Sequence, residues 1–160
     1  MLPVSPPPPI AIGGDHAGLP LKRALQEALA ARGHDLLDFG TNEAASVDYP
    51  DFAHQVCAAV QDGRARFGVL VCGSGIGMAI AANRHKGIRA AVLHDATEAR
   101  LTRAHNDANV AAFGARLVGP EVALDALKAF LSADYEGGRH DRRIAKLSPP
   151  PSPPDLSPGS

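Results

Sequence analysis

Six consecutive residues, Cys72-Gly73-Ser74-Gly75-Ile76-Gly77, combine a thiol, a hydroxyl and three glycines at alternate positions. Such glycines let the backbone approach a ligand closely and aim several amide N–H groups at one point. The run Met78–Asn83 behind them reads as helical, and a helix N-terminus adds partial positive charge. The loop is therefore a cradle for an anion, either a phosphate or an oxyanion formed during reaction. Positive potential at its start favours the thiolate of Cys72. A thiolate beside an oxyanion cradle is suited to removing a carbon-bound proton. The alternative is a small apolar residue ending a strand. Several other chemistries are excluded by position. A P-loop needs Gly-Lys-Ser/Thr where Gly77-Met78 stands. A nucleophile elbow needs Gly in place of Cys72. A cysteine phosphatase loop needs Arg at position 78, and a dinucleotide fingerprint needs a Gly-x-x-Gly ending.

Other polar groups stand at similar places. Asp15-His16 is flanked by Gly13-Gly14 and Gly18, which suggests tight turns holding two polar side chains; the plainer reading is that Asp15 caps the next helix. His105-Asn106-Asp107-Ala108-Asn109 could be a helix end with Asn in a left-handed cap, and His94-Asp95 could be a cap too. Arg139, His140 and Arg143 share one face if their segment is helical. Two guanidiniums converging there suit a phosphate, against the alternative of a solvated basic face. No two histidines have the close spacing of a metal-site helix, so no metal is expected. Cys57 sits with Val56 and Val60 on an amphipathic stretch and reads as packing.

These residues need a scaffold. Short apolar runs, Ile10–Gly13, Asp35–Phe39, Phe67–Val71, Ile88–Leu93 and Val110–Phe113, read as buried strands. Between them lie helical periodicities at Leu19–Arg32, closed by Gly33, and at Pro50–Gly63, Ala96–His105 and Pro120–Leu131. Strand and helix alternating in this way imply an α/β fold: a three-layer α/β/α, Rossmann-like domain on a five-stranded parallel sheet. Ligands of such sheets bind outside the carboxyl ends of the strands. That rule points to Gly14–Gly18, Gly40–Tyr49, Cys72–Gly77 and His94–Asp95.

Of 14 prolines, five fall in residues 1–9 and six in 148–160, so the ends read as disordered proline-rich tails around a domain at 10–147. The formal net charge of −1 argues against a general nucleic-acid binder. No apolar run approaches the roughly 18 residues of a membrane span. The N-terminus lacks the pattern of a signal peptide, so a cytoplasmic protein with reduced cysteines is expected.

Seven ordered pieces over about residues 10–145 resemble the type B ribose-5-phosphate isomerases, grouped with galactose-6-phosphate and allose-6-phosphate isomerases. They are Gly-Gly-Asp-His-Ala-Gly (13–18), Asp48-Tyr49-Pro50, Cys-Gly-Ser-Gly-Ile-Gly (72–77), Ala-Asn-Arg (82–84), His-Asn-Asp-Ala-Asn-Val (105–110), Phe-Gly-Ala-Arg (113–116) and Tyr-Glu-Gly-Gly-Arg-His-x-x-Arg (135–143). The resemblance implies aldose–ketose isomerisation of ribose 5-phosphate and ribulose 5-phosphate, in the pentose phosphate pathway, with no metal or cofactor. In the family's Cys-bearing branch, the residue matching Cys72 moves a proton between C2 and C1. Other members use a Glu where this chain has Met78. The matches imply that His105 aids ring opening with Asp15 near the ring oxygen, and that Ser74 and the loop amides stabilise the enediolate. His16, Tyr49, Gly73, Gly75, Gly77, Asn106, Arg116, Arg139, His140 and Arg143 would hold the sugar phosphate. The family is a homodimer or dimer of dimers with shared sites, so His105, Asn106 and Arg116 would reach the neighbour's Cys72. A six-carbon sugar phosphate, or phosphate binding without catalysis, are the alternatives.

Overall fold

The computed structural model describes residues 6–152. Most of the two proline-rich tails expected at 1–9 and 148–160 falls outside these bounds. Within them, Pro9 is tied down, its carbonyl accepting from Arg66 N–H at 3.0 Å.

The chain alternates strand and helix from β1 (Ile10–Gly14) and α1 (Leu19–Ala31) to β2 (Leu36–Asp38), α2 (Tyr49–Gln61), β3 (Phe67–Cys72) and α3 (Ile76–Ala82). It continues through β4 (Ala90–Val92), α4 (Ala96–Asn106), β5 (Val110–Gly114), α5 (Pro120–Ser132) and α6 (Arg139–Ala145). The five strands form one parallel sheet in the order β2-β1-β3-β5-β4. This is the three-layer α/β/α arrangement expected from the alternating texture. The outer strands are shorter than expected: β2 keeps only Leu36–Asp38 and β4 only Ala90–Val92. Each pairs on one side alone, so fewer of its residues are fixed by ladder bonds.

Side chains on the central strands alternate between two cores, as a two-residue period requires. Ile10, Ile12, Val69, Val71, Ala111 and Phe113 face α1, α4 and α5, meeting Leu21, Leu25, Ala99, Leu127 and Phe130. Ala11, Leu70, Cys72, Val110 and Ala112 face α2 and α3, meeting Val56, Cys57, Met78 and Ala79. The second face is lined with small residues because α2 packs very close. A Cβ on Gly68 would fall 2.7 Å from Val56 Cγ1, and one on Gly13 would fall 2.9 Å from Val56 Cγ2.

The strand order reverses between β1 and β3, since the chain passes from β1 to β2 on one side and then crosses back to β3. A crevice opens at the carboxyl ends of two strands that diverge in this way. Here those ends are Gly14 and Cys72.

Candidate active site

The carboxyl edge of the sheet carries the first group of residues. Cys72 ends β3 on the α2/α3 side and is 4% exposed. Its Sγ accepts a hydrogen bond from Gly75 N–H at 3.1 Å. Gly75 holds φ +77, a left-handed conformation that turns the loop back to make this bond. Ser74 Oγ accepts from Ile76 N–H at 3.3 Å, and the Ser74 carbonyl lies so close to Gly114 that a Cβ there would collide. Two loop amides are thus already turned onto the loop's own thiol and hydroxyl. Gly77 leaves room for Tyr49, whose ring lies where a Cβ at 77 would be. Met78 is fully buried in the core beneath the loop.

Asp15 and His16 stand beside this loop, after β1. Asp15 is buried, and its Oδ1 accepts from Gly18 N–H at 2.9 Å, a bond within the turn before α1; the N-cap of α1 is Gly18, so Asp15 is not the helix cap of the plainer reading. His16 Nδ1 accepts from Val47 N–H at 3.2 Å, which leaves its Nε2 carrying the proton. Arg116 corrects an expectation. The resemblance implies that it reaches across a subunit boundary, yet its guanidinium lies against Gly73 of its own chain, and its backbone N–H donates to the Gly73 carbonyl at 3.0 Å. Arg116 leaves the carboxyl end of β5, directly beside β3, which places its backbone next to the Cys72 loop. His94-Asp95 is a helix cap: Asp95 Oδ1 accepts from Glu98 N–H at 2.7 Å and Glu98 returns a bond to His94 N–H at 2.8 Å.

The second group lies at the opposite edge. Helix α4 starts beyond the carboxyl end of β4 and runs back against the strand direction, so His105 and Asn106 emerge at the amino end of β5. The left-handed residue ending α4 is Asp107, φ 45, and not an Asn. Its carboxylate is held by Arg103 at 2.8 Å and Arg89 at 3.1 Å, which fixes the helix end. Glu136 N–H donates to the Ala104 carbonyl at 3.0 Å and brings in the final segment. Arg139–Ala145 is helical as the face argument required, and Arg139 and Arg143 share an exposed side, but His140, expected on the same face, is turned into the protein. His140 is buried and stacks on His105 with ring centroids 4.5 Å apart, 14° from parallel. Tyr135 OH donates to Asp141 Oδ1 at 2.6 Å across the turn into α6; that bond to a carboxylate pushes the phenol up to about 12.

The predicted residues therefore form two clusters, with Cys72, Ser74, Asp15, His16, Tyr49 and Arg116 in one. His105, Asn106, Arg139, His140 and Arg143 make up the other. Five strand rises of about 3.3 Å, roughly 17 Å, separate the ends of β3, and the sheet itself lies between.

Two participants escaped the sequence reading. Lys22 is fully buried, its Nζ 2.7 Å from Asp38 Oδ1 and 3.1 Å from Asn42 Oδ1. Burial works against the charge of Asp38, but the bonds from Lys22 and then Gly40 N–H hold its carboxyl below the ordinary value. This network anchors the segment after β2 beside Gly14, whose N–H donates to the Gly40 carbonyl at 2.7 Å. The signal was present: Lys22 precedes Leu25 by three and Leu29 by seven, on the buried stripe of α1. The other is Glu136. Its Oε2 lies 3.9 Å from His105 Nε2 and 3.5 Å from His140 Nε2. Histidine spacing along one helix cannot show this cluster, because its three donors arrive from α4, the segment between α5 and α6, and α6.

The family described as Ribose/Galactose Isomerase matches residues 10–147. This chain belongs to that family. Among ribose/galactose isomerases, it is 46% identical over 139 residues to ribose-5-phosphate isomerase B of Escherichia coli, covering 87% of this chain and 93% of that one. It is 40% identical to the D-erythrulose-4-phosphate isomerase of Pectobacterium atrosepticum, covering 86% of this chain and 91% of that protein. The solved ribose-5-phosphate isomerase B of Clostridium thermocellum superposes with a TM-score of 0.85 at 48% identity, over 86% of this chain and 93% of that chain. Within this family fold, no helix among the described residues is long and apolar enough to cross a membrane.

Proposed function

We propose that this protein interconverts ribose 5-phosphate and ribulose 5-phosphate through an enediolate, in the pentose phosphate pathway of the cytoplasm. The observation that carries the reading is the placement of Cys72 Sγ at the β1/β3 crevice, bonded to Gly75 N–H within a glycine loop. Its support comes also from the 46% identity to ribose-5-phosphate isomerase B of Escherichia coli.

In this mechanism His105 helps open the furanose by relaying the proton of the anomeric hydroxyl to the ring oxygen as the bond between that oxygen and C1 breaks, with Asp15 near the ring oxygen. The Cys72 thiolate then takes the proton from C2. Negative charge moves onto the C1 oxygen, where Ser74 and the amides around Gly73, Gly75 and Gly77 stabilise it. Returning the proton to C1, with a matching hydroxyl proton shift from O2 to O1, gives the ketose. The proton lost from C2 is the one gained at C1, so no oxidant or cofactor enters. Arg139, Arg143, His140 and His16 hold the phosphate, whose binding energy orients the distant reacting carbons; Tyr49, Asn106 and Arg116 complete the pocket.

A site assembled this way takes the Cys72 edge from one chain and the His105 edge from another, so the working unit is a homodimer or a dimer of dimers. The reasoning is topological. A sheet separates the two clusters within one chain, and a closed two-fold pairing can set one edge of each copy against the other edge of its neighbour.

The test is ketose formation from a panel of four-, five- and six-carbon aldose phosphates, with the wild type and Cys72→Ala. Highest kcat/KM on ribose 5-phosphate, and loss on the order of 10²–10⁴-fold in the variant, are expected. Full activity in Cys72→Ala overturns the mechanism. A preference for the four-carbon sugar moves the chain toward the Pectobacterium relative's chemistry, and a six-carbon preference toward allose or galactose phosphates. Binding without turnover on any sugar leaves a phosphate-binding module.

A further inference from the structure

We propose that His105, Glu136 and His140 form a binding site for a divalent ion of the zinc class, and that loading it withdraws His105 from the sugar and inhibits the enzyme. The inhibitory half rests on the role given to His105 above; the binding half does not.

The ligand atoms of the three side chains all lie within 4.8 Å of one another. Bonds of about 2.0–2.2 Å at tetrahedral angles set donors about 3.4 Å apart. Glu136 Oε2 and His140 Nε2, at 3.5 Å, already stand at that separation. His105 Nε2, 3.9 Å from the same carboxylate oxygen, needs only a small approach. His140 supplies an independent indication. It is 6% exposed and its Nε2 is buried without a hydrogen-bond partner. A buried imidazole nitrogen left unpaired costs free energy unless something else satisfies it. That nitrogen lies 3.5 Å from Glu136 Oε2, and an ion shared with the carboxylate would complete it.

The scaffold around the three donors is anchored. The Glu136 backbone is bonded to Ala104, one residue before His105, and the Tyr135–Asp141 bond clamps the turn between Glu136 and His140. One adjustment is required. The rings stack 14° from parallel, so their in-plane lone pairs lie in neighbouring planes. His105 is the ring free to turn, since its side chain is 36% exposed against 8% for His140.

Two imidazoles and one carboxylate select the metal class. Zn²⁺ takes this donor set with a fourth position open, and Co²⁺ and Ni²⁺ follow; Mg²⁺ and Ca²⁺ prefer all-oxygen sites. The other histidine pair is less suitable. His54 Nδ1 and His85 Nε2 are 2.7 Å apart and bonded to each other on an exposed surface, which makes them a control.

The experiment titrates the full-length protein with Co²⁺, followed by its visible absorption, and then displaces it with Zn²⁺. One Co²⁺ per chain, displaced by Zn²⁺, is expected. Binding should weaken on the order of tenfold or more in Glu136→Gln and in His140→Gln, and persist in His85→Gln and Cys72→Ala. Glu136 is exposed, so its substitution tests the site without disturbing the core. No uptake by the wild type overturns the proposal. So does uptake unchanged in Glu136→Gln, or abolished in His85→Gln or Cys72→Ala. For inhibition, turnover of the wild type and of Glu136→Gln is compared with and without Zn²⁺: the wild type should lose activity, recover it with chelator, and be more sensitive than Glu136→Gln. Equal sensitivity overturns the inhibitory half. A protein with no isomerase turnover at all fails the proposed function instead, and the spectroscopic titration still decides the site.

Discussion

The two edges of the sheet are built from different materials. At the carboxyl edge, strands end in glycine-rich turns so close-packed that a Cβ at Gly14 or Gly18 would collide with the Val71 carbonyl. Cys72 and Asp15 are almost fully buried there. At the amino edge, the polar groups stand on the last turn of α4 and on the seven-residue helix α6, with Arg139, Arg143 and Glu136 exposed. The first edge offers a fixed thiol and oriented amides, which suit proton transfer at a defined atom. The second offers long cationic side chains and a half-exposed imidazole, which suit capture of a charged sugar. On the proposed function each edge would hold half of one reaction, and α4, about 16 Å long, sets the two clusters apart.

The largest effects should come from breaking one edge at a time and then combining them. Cys72→Ala and His105→Gln should each lose activity by orders of magnitude. Mixed and allowed to reassort, equal amounts should recover about a quarter of wild-type activity, because half the two-fold dimers are hybrids with one intact site of two. No recovery after verified exchange would mean that each chain works alone, and the separation of the two clusters would lose its functional meaning. The next effect isolates the amino edge. Arg139→Ala and Arg143→Ala each remove charged hydrogen bonds to the phosphate, about 1.5–3 kcal/mol, which is a KM increase of roughly 10- to 150-fold. A fall in kcat at unchanged KM would instead put these arginines at the reacting carbons.

The periodicity of apolar residues carried most of this architecture, and for a physical reason. Central strands such as Phe67–Cys72 are buried on both faces, so their composition is constrained at every position. The edge strands were overextended in the sequence reading because apolar residues at Asp35–Phe39 and Ile88–Leu93 serve loops as well as ladders. The Cys72 loop was legible because glycine there has a backbone cause, visible as φ +77 at Gly75. The amino-edge cluster was legible only as separate words. That His140 stacks on His105 depends on a turn joining Glu136 to Ala104, a contact 32 positions apart that no local spacing encodes. That Arg116 lies against Gly73 of its own chain follows from β5 pairing with β3, and periodicity does not specify strand order.

A substitution in the scaffold between the edges sharpens the contrast by touching neither. In Gly68→Ala the new methyl meets Val56 Cγ1 at 2.7 Å and Val110 Cγ2 at 3.1 Å. Both neighbours are β-branched and locked by packing, so the cost should be about 1–3 kcal/mol. A melting temperature lower by several degrees, roughly 2–4 °C per kcal/mol, with kcat unchanged at 25 °C, is the expected result. A matching loss of kcat would show that α2 strain reaches the Cys72 loop.

The smallest effect concerns the other cysteine. Cys57 is fully buried on α2, and burial pushes its thiol from 9.0 up to about 12. Its proton is held more tightly in the folded chain than in the unfolded one. The stability this provides is complete below pH 9 and is lost as pH rises toward 12. Melting curves between these limits should therefore fall more steeply with pH for the wild type than for Cys57→Ala, even though the variant starts lower because of the cavity it leaves. Parallel pH slopes would remove Cys57 as a cause. Iodoacetamide should leave native Cys57 unmodified at pH 8, where its thiol is both neutral and covered, and peptide mapping reads this directly. Modification of Cys57 at that pH would show that the α2 face opens far more readily than its packing against Gly13 and Gly68 implies.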